Sequence, residues 1–242
     1  MLKHLVKQVV PRTLYRPILD FWLQNSWGYP RRIDPLNRTF GFSRGQPVDR
    51  YYIEAFLQRY QDDIRGHVLE VAYPEYTRKL GGERVSHSDV LHVIPGNRHA
   101  TLVGDLATGQ GIPQATFDCM ILTQVLLCIY DLPAAIANCY AALAPGGVAL
   151  VTLPGISQIS RYDMNHWGDY WRFTDASARR LFSDVFSPEN VTVETYGNAL
   201  VACAFLSGRA SQELKRKELD YHDPDYQVSI AVRAVKPQSS PL

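Results

Sequence analysis

The chain lacks the features that most directly give away a function. Its 242 residues carry a net charge of +1, so there is no strongly basic face of the kind that bulk nucleic-acid binding needs. No apolar run approaches the ~20 residues of a membrane span. Its four cysteines, 119, 128, 139 and 203, form no Cys-x-x-Cys pair and none has a histidine at metal-ligand spacing. This excludes a zinc ribbon and a disulfide framework, and buried free thiols in a reducing cytosol account for all four. His87, His92 and His99 are scattered over loops, so no metal is expected. There is no internal repeat and no low-complexity segment. The first residues, MLKHLVKQVVPRTLYRPILDFWLQ, are too interrupted for a secretory signal, and no small-residue cleavage site follows. They read as a basic amphipathic helix, either packed on the main body or lying on a membrane surface.

What is present is a large apolar fraction, 46%, with 20% charged residues, enough for a sizeable core. PVDRYYIEAFLQRYQDDI predicts a helix over 47–64, with Pro47 in its first turn. Strands are expected at 67–72, 84–89, 100–104, 117–123 and 147–153. A helix at 132–144 is stopped by Pro145-Gly146-Gly147. CMILT and VALVTL are almost continuously apolar, as in strands covered by helices on both faces. Alternating strands and helices predict a doubly wound parallel sheet. A helix at about 174–184, a strand at 190–196, a helix over NALVACAFLSG and a strand over 226–237 follow, an order compatible with an antiparallel last strand. Linker-like composition is confined to about 25–46 and the tail after Pro237. The organisation is therefore a helical extension or lid (1–46), a main domain (47–237) and a tail (238–242).

One further absence bears on the chemistry. In VLEVAYPEYTRKLGG the first strand runs into Ala72-Tyr73-Pro74, where a nucleotide-binding fold would have a glycine-rich turn. Even so, GHVLEV, SDV, GDL and FDCMILTQVLLCIYDLPAAIANCYAALAPGGVALVTLPG together resemble class I S-adenosylmethionine-dependent methyltransferases. RGQPVDRYYIEAFL, YTRKLGGERVSHSDVLHV and GDYWRFT are similar to a bacterial branch associated with glycosyltransferases and polysaccharide biosynthesis. The likeness covers about 44–237. It implies a Rossmann-like sheet of seven strands, mostly parallel with the last antiparallel, and S-adenosylmethionine as cofactor across the carboxyl ends of the strands. That cofactor has no phosphate, so its demand for bare glycine backbone is lower. Ala72 is the smallest substitute, and Pro74 stiffens the loop and biases Tyr73 towards an extended conformation.

Strand ends then nominate the cofactor contacts. They are Glu70, Ala72 and Tyr73 at the first strand, Asp89 at the end of the second for the ribose hydroxyls, Asp105 and Leu106 after the third for adenine, and Thr123 and Gln124 after the fourth. Glu70 could also order the loop, Asp89 could serve as a turn or cap residue, and Thr123 and Gln124 could merely satisfy loop backbone. On the acceptor side, RYDMNHWGDYWRFT (161–174) offers His166 and Asp169 as base or base-orienting pair. Trp167 and Tyr170 offer stacking surfaces and Arg172 an anion clamp; Trp171 and Phe173 read as anchors of the following helix. Arg44, Asp49, Arg50 and Tyr51 read as part of a lid over cofactor or acceptor, with a local Asp49–Arg50 ion pair as the plainer alternative. Methyl transfer to oxygen of a sugar or small metabolite, in the cytoplasm and with a possible homodimer, is the leading expectation. Transfer to nitrogen or carbon is open. So is a non-catalytic module that binds a glycosyltransferase or a membrane surface.

Overall fold

A computed structural model describes residues 33–238. The expected amphipathic helix over the first 24 residues and the last four residues of the tail lie outside them. Residues from Leu36 onward form one compact unit.

Helix α1 (Val48–Arg59) starts after Pro47, with Asp49 in its first turn and Arg59 in its last, both favourable to the helix dipole. It buries Val48, Tyr52, Ile53, Phe56 and Leu57, one face at helical spacing. It ends earlier than position 64. The next residues, Gln61–Asp63, form a tight turn, and two acids there oppose the negative end of a helix. Asp63 instead takes the Arg233 guanidinium at 2.7 and 3.1 Å.

The strands are β1 (Gly66–Val71), β2 (Val85–His92), β3 (Leu102–Val103), β4 (Phe117–Thr123), β5 (Leu143–Pro154), β6 (Val191–Tyr196) and β7 (Ser229–Val235). They form one seven-stranded sheet in the order β3-β2-β1-β4-β5-β7-β6. β7 runs antiparallel to β5 and β6, and the other pairings are parallel. Helices α2 (Leu132–Ala142) and α4 (Asp175–Phe186) cover one face, against Leu69, Met120, Leu122 and Val151. α1 covers the other, against Val68, Cys119, Ile121 and Leu150. The period-2 split of these core residues, apolar on both sides, is the physical origin of the continuous apolar runs.

α2 begins at Asp131, whose carboxylate accepts from the Ala134 amide. α4 begins with a reciprocal Thr174–Ser177 capping box. Two helices were not legible as such: α3 (Arg161–His166), capped by Ser160, and α6 (Arg216–Leu219). α5 (Ala199–Leu206) lies between β6 and α6, capped by Asn198. The segment after Leu36 is not a loose linker. The Leu36 amide bonds the Ser207 carbonyl, Pro47 bridges Ala210, and Arg44 pairs with Glu213. The four thiols are free, but Cys203 is exposed on the outer side of α5, contrary to the expectation that all four are buried.

Candidate functional site

The carboxyl tips of β1, β2, β4 and β5 lie side by side, and the loops that leave them carry the site. The β1 loop has kept a glycine-type shape without glycine. Ala72 has φ +68°, a conformation that costs a non-glycine residue about 1 kcal/mol. Three ties hold it there. The Ala72 amide donates to the Leu91 carbonyl at 3.0 Å, the Ala72 carbonyl accepts from Asn97 Nδ2 at 2.8 Å, and the Tyr73 amide reaches back to Val71 at 2.9 Å. The Tyr73 ring is 59% exposed and leans on His99, so it does not fill the space beside the strand tip.

Glu70 is buried and faces the loop that follows. Its Oε1 accepts from the Tyr76 amide (3.0 Å), and its Oε2 from the Thr77 amide and hydroxyl (both 2.8 Å). Burial pushes its carboxyl above the usual range, against these hydrogen bonds. Of the two roles open in the sequence, the geometry shows the ordering of the loop. Tyr76, anchored in this way and itself buried, presents its hydroxyl to Arg50 Nη1 at 2.8 Å. The first loop is thereby coupled to α1.

Asp89 does not end β2. The strand continues to His92, because Val90 and Leu91 are core residues paired with Glu70 and Val71. Asp89 lies mid-strand, with Oδ2 2.7 Å from His67 Nε2 and Oδ1 accepting from the Thr101 hydroxyl at 2.6 Å. Burial opposes its ionisation, but these hydrogen bonds outweigh burial and hold its carboxyl below the usual range. The residue at the tip is His92, which sequence reading passed over for want of a ligand pattern. Its ring edge meets Trp167, centroids 5.6 Å apart. Since Trp167 follows the β5 loop, this contact carries the 161–167 segment to a strand three positions away along the sheet.

After β3, Asp105 Oδ1 accepts from the Ala107 amide at 2.8 Å, while Oδ2 has only a 3.4 Å contact with Thr108. Leu106 is buried in the core against which α2 packs. Thr123 ends β4 opposite Thr152. Gln124 then adopts φ +55° and gives its amide to the Thr152 carbonyl. Its side chain makes no hydrogen bond to any described residue and lines a cavity of about 390 Å³.

That cavity is bounded by Arg38, Phe40 and Phe42, by Asp49 and Arg50 at the start of α1, by Gln124 and Leu127, and, at and beyond the end of β5, by Pro154, Ser157, Gln158, the 160–163 stretch, Asp169 and Arg172. Several candidate acceptor residues line it but are already engaged. Asp169 Oδ2 accepts from the Ser160 amide (2.8 Å), and both its oxygens take Arg172 (2.5 and 3.0 Å). Burial opposes ionisation of Asp169, yet Arg172 and the Ser160 amide outweigh it and keep the carboxyl below its ordinary range. Arg172 also bonds the carbonyls of Trp171, Ser157 and Gln158. The pair therefore braces the loop, and Asp169 is held by Arg172 and the Ser160 amide rather than by His166.

Other candidates lie off the cavity wall. His166 is exposed on α3, its Nδ1 bonded to the Tyr162 carbonyl at 2.7 Å and its ring stacked on Tyr162. Tyr170 is exposed and gives its amide to Leu127. Trp171 donates to the Ile129 carbonyl. Arg44 forks onto Glu213 at 2.7 and 2.8 Å, and Tyr51 bonds Asp220 at 2.5 Å.

Asp49 differs from all of these. It forms no side-chain ion pair with Arg50, whose guanidinium goes to Tyr76. Among the described residues its carboxylate accepts only from backbone amides at the start of the helix, Oδ1 from that of Arg50 at 2.9 Å. Burial pushes its carboxyl above the usual range, over the weaker opposing pull of Arg50. A carboxylate on the wall of a cavity with its pKa raised by burial is a candidate proton acceptor or cation ligand. Sequence alone read it as part of a lid over cofactor or acceptor, or as one half of a helix-start ion pair with Arg50, and no spacing rule distinguishes these roles.

The fold is shared with known proteins. An S-adenosylmethionine-dependent methyltransferase from Archaeoglobus fulgidus matches at TM-score 0.51, with 14% identity over 77% of this chain and 94% of that one. The N-methyltransferase NodS from Bradyrhizobium japonicum, in complex with S-adenosylhomocysteine, matches at 0.50, with 16% identity over 84% and 94%. A Haemonchus contortus phosphoethanolamine N-methyltransferase with bound S-adenosylmethionine also matches at 0.50, with 14% identity over 86% of this chain but 54% of its own. No curated protein matches the chain in sequence. A family model described as "Methyltransferase domain" matches residues 47–192. The cofactor that goes with this family is S-adenosylmethionine. The chain belongs to this methyltransferase-domain family.

Proposed function

We propose that the chain transfers a methyl group from S-adenosylmethionine to a hydroxyl oxygen of a sugar or similarly small polar metabolite, with Asp49 as the proton acceptor. The observation that supports this most is the position of Asp49. It shares one cavity wall with Gln124, which leaves β4 directly beside the strand tips where open α/β sheets seat their ligands.

The residues at the tips suit the cofactor. Ala72 keeps the turned backbone, the Gln124 side-chain carboxamide has no hydrogen-bond partner among the described residues, and Asp105 has one oxygen with only a long contact there. When bound, S-adenosylmethionine supplies an activated methyl group with a good leaving group. The chain's own task is alignment and proton removal. The cavity admits an acceptor of sugar size. A hydroxyl holds its proton tightly, so the Asp49 carboxylate must take it as the oxygen becomes nucleophilic. Arg50, held by Tyr76, fixes the wall next to it. The brace of Asp169 and Arg172 keeps another part of the cavity wall in place. Phe40, Phe42 and Leu127 supply apolar surface for a sugar face.

The branch associated with glycosyltransferases, and a cytoplasmic location, belong to the same proposal. The sugar-sized cavity, with Asp49, Arg50 and Gln124 on an otherwise largely apolar wall, favours the first, and the buried unpaired thiols of Cys119 and Cys139 favour the second. The test is transfer of labelled methyl from S-adenosylmethionine across a panel of sugars, sugar phosphates and amines, run for wild type and D49N. Labelling of hydroxyl acceptors that D49N abolishes supports the reading. Labelling of amines that D49N leaves intact would move the reaction to nitrogen and remove Asp49 from it.

A further inference from the structure

A second cluster of reactive side chains lies towards the opposite end of the strands and plays no part in methyl transfer. His67 is the second residue of β1 and His87 the third of β2, and the parallel register pairs them directly. Asp89 follows His87 by two residues, so all three side chains project from one face of the sheet. We propose that His67, His87 and Asp89 bind one divalent ion of the zinc class.

Convergence on a single oxygen carries the argument. Asp89 Oδ2 lies 2.7 Å from His67 Nε2 and 3.6 Å from His87 Nε2, and the three candidate ligand atoms all fall within 4.8 Å of one another. A hydrogen bond accounts for the first distance. It does not account for the second, since 3.6 Å is too long for one. The His87 side chain, 63% exposed, packs its ring edge-on against that of His67, centroids 4.4 Å apart, and this brings its Nε2 towards the oxygen that His67 already holds. Ligand atoms of a tetrahedral zinc, with bonds near 2.0–2.2 Å, stand about 3.3 Å apart. The two distances to the Asp89 oxygen bracket that value, and the two imidazole nitrogens, within 4.8 Å of each other, close the triangle by drawing together by up to about 1.5 Å, a movement that turning the exposed His87 ring supplies.

The surroundings fit a metal as well. The other oxygen of Asp89 accepts from the Thr101 hydroxyl at 2.6 Å, and that hydroxyl in turn accepts from the Val90 amide at 2.9 Å. The direction of these bonds fixes the carboxylate plane, the orienting role that outer partners play at metal sites. The His67 ring is seated edge-on against buried Phe117, centroids 4.9 Å apart. Two imidazoles and one carboxylate select a borderline transition ion over magnesium or calcium. Exposure of His87 leaves an entry path and room for water as a fourth ligand. Bound there, the ion would staple β1 to β2 and, through Thr101, to the connection into β3.

The test uses the full chain without an affinity tag, stripped with chelator, and titrated calorimetrically with zinc chloride. The proposal expects one ion per chain with micromolar or tighter affinity. H87A should weaken binding at least about tenfold, and H99A should leave it unchanged. Excess zinc should raise the wild-type Tm by about 5–10 °C at a hundredfold excess over Kd, and that of H87A by much less. Cobalt(II) in the same site should give the intense visible bands of a four-coordinate ion. Absence of stoichiometric binding, or equal binding by H87A, would overturn the site and leave a His–Asp–Thr hydrogen-bond chain. None of these readouts depends on methyltransferase activity.

Discussion

The loop after β1 and the loop after β5 open on the same end of the sheet, and they spend their residues in opposite ways. The first is poor in the expected chemistry: Ala72, Tyr73 and Pro74 stand where glycines would be. It nevertheless holds a turned backbone, because Glu70, Asn97 and the Leu91 carbonyl tie it down. The second, 155–173, is crowded with groups that look catalytic, yet most of them brace one another. Asp169 holds Arg172, Arg172 holds three carbonyls, and Trp171 holds Ile129. The underused polar groups lie elsewhere, on Asp49 at the start of α1 and Gln124 at the end of β4. Abundance of reactive side chains in a loop is therefore a weak guide to chemistry. A carboxylate that the fold has not already used is a better one.

The largest effect that separates structural from chemical carboxylates is expected at Asp49. D49N should lower kcat about 10²–10⁴-fold. It should not lower Tm, because it relieves the burial of a charge. Asp49 must be ionised to accept a proton, and burial raises its pKa. The acid limb of the wild-type pH–rate profile should therefore lie above the usual carboxylate range, with activity falling as pH drops through it. D49N should lack that limb.

The bracing carboxylates should behave in the reverse manner. D169A leaves the Arg172 guanidinium and the Ser160 amide without their partner, at about 2–4 kcal/mol of stability. E70A strands the buried Tyr76 and Thr77 amides at a similar cost. Denaturant melts at pH 7 check both. If either variant keeps full stability and loses only turnover, the contrast between the two kinds of acid fails.

A72G sharpens the comparison from the side of the first loop. Glycine releases the strain at φ +68° but adds freedom to the unfolded chain. The net expectation is a change between zero and about +1 kcal/mol in stability. A loss of more than that would mean that the Ala72 methyl packs rather than merely fits.

The smallest effect is expected at Glu213, whose carboxyl the Arg44 fork pulls down to about 2. With a depressed folded pKa, its contribution is present above the unfolded value near 4.5 and is lost as pH falls towards 2. The pair is exposed, so E213Q should shift Tm by no more than about 2 °C at pH 7, and by less near pH 2.

Periodicity carried the fold well. The two apolar sets of β4 and β5, one residue out of phase, required helices on both faces, and Pro145-Gly146-Gly147 marked the end of α2. The element ends were less legible where tertiary partners decide them. α1 stops at Arg59 because Asp63 is taken by Arg233, and β2 runs on to His92 because Val90 and Leu91 face the core. That three-residue extension moved Asp89 from the strand tip to its middle. The site was legible as a region, the carboxyl ends of the strands, but not as an assignment of roles. His166 and Asp169 have the right chemistry for a base, and their hydrogen-bond partners, Tyr162, Ser160 and Arg172, are visible only once the loop is folded. His67 drew no attention because its two metal-competent neighbours lie on the next strand, and local spacing cannot show a cross-strand register.

Calorimetric titration of the full chain with S-adenosylhomocysteine tests the central claim most directly. The account predicts one site per chain with micromolar affinity, retained in D49N and weakened in Q124A. No heat of binding at millimolar ligand would contradict it, and would leave a methyltransferase fold whose strand tips no longer hold the cofactor.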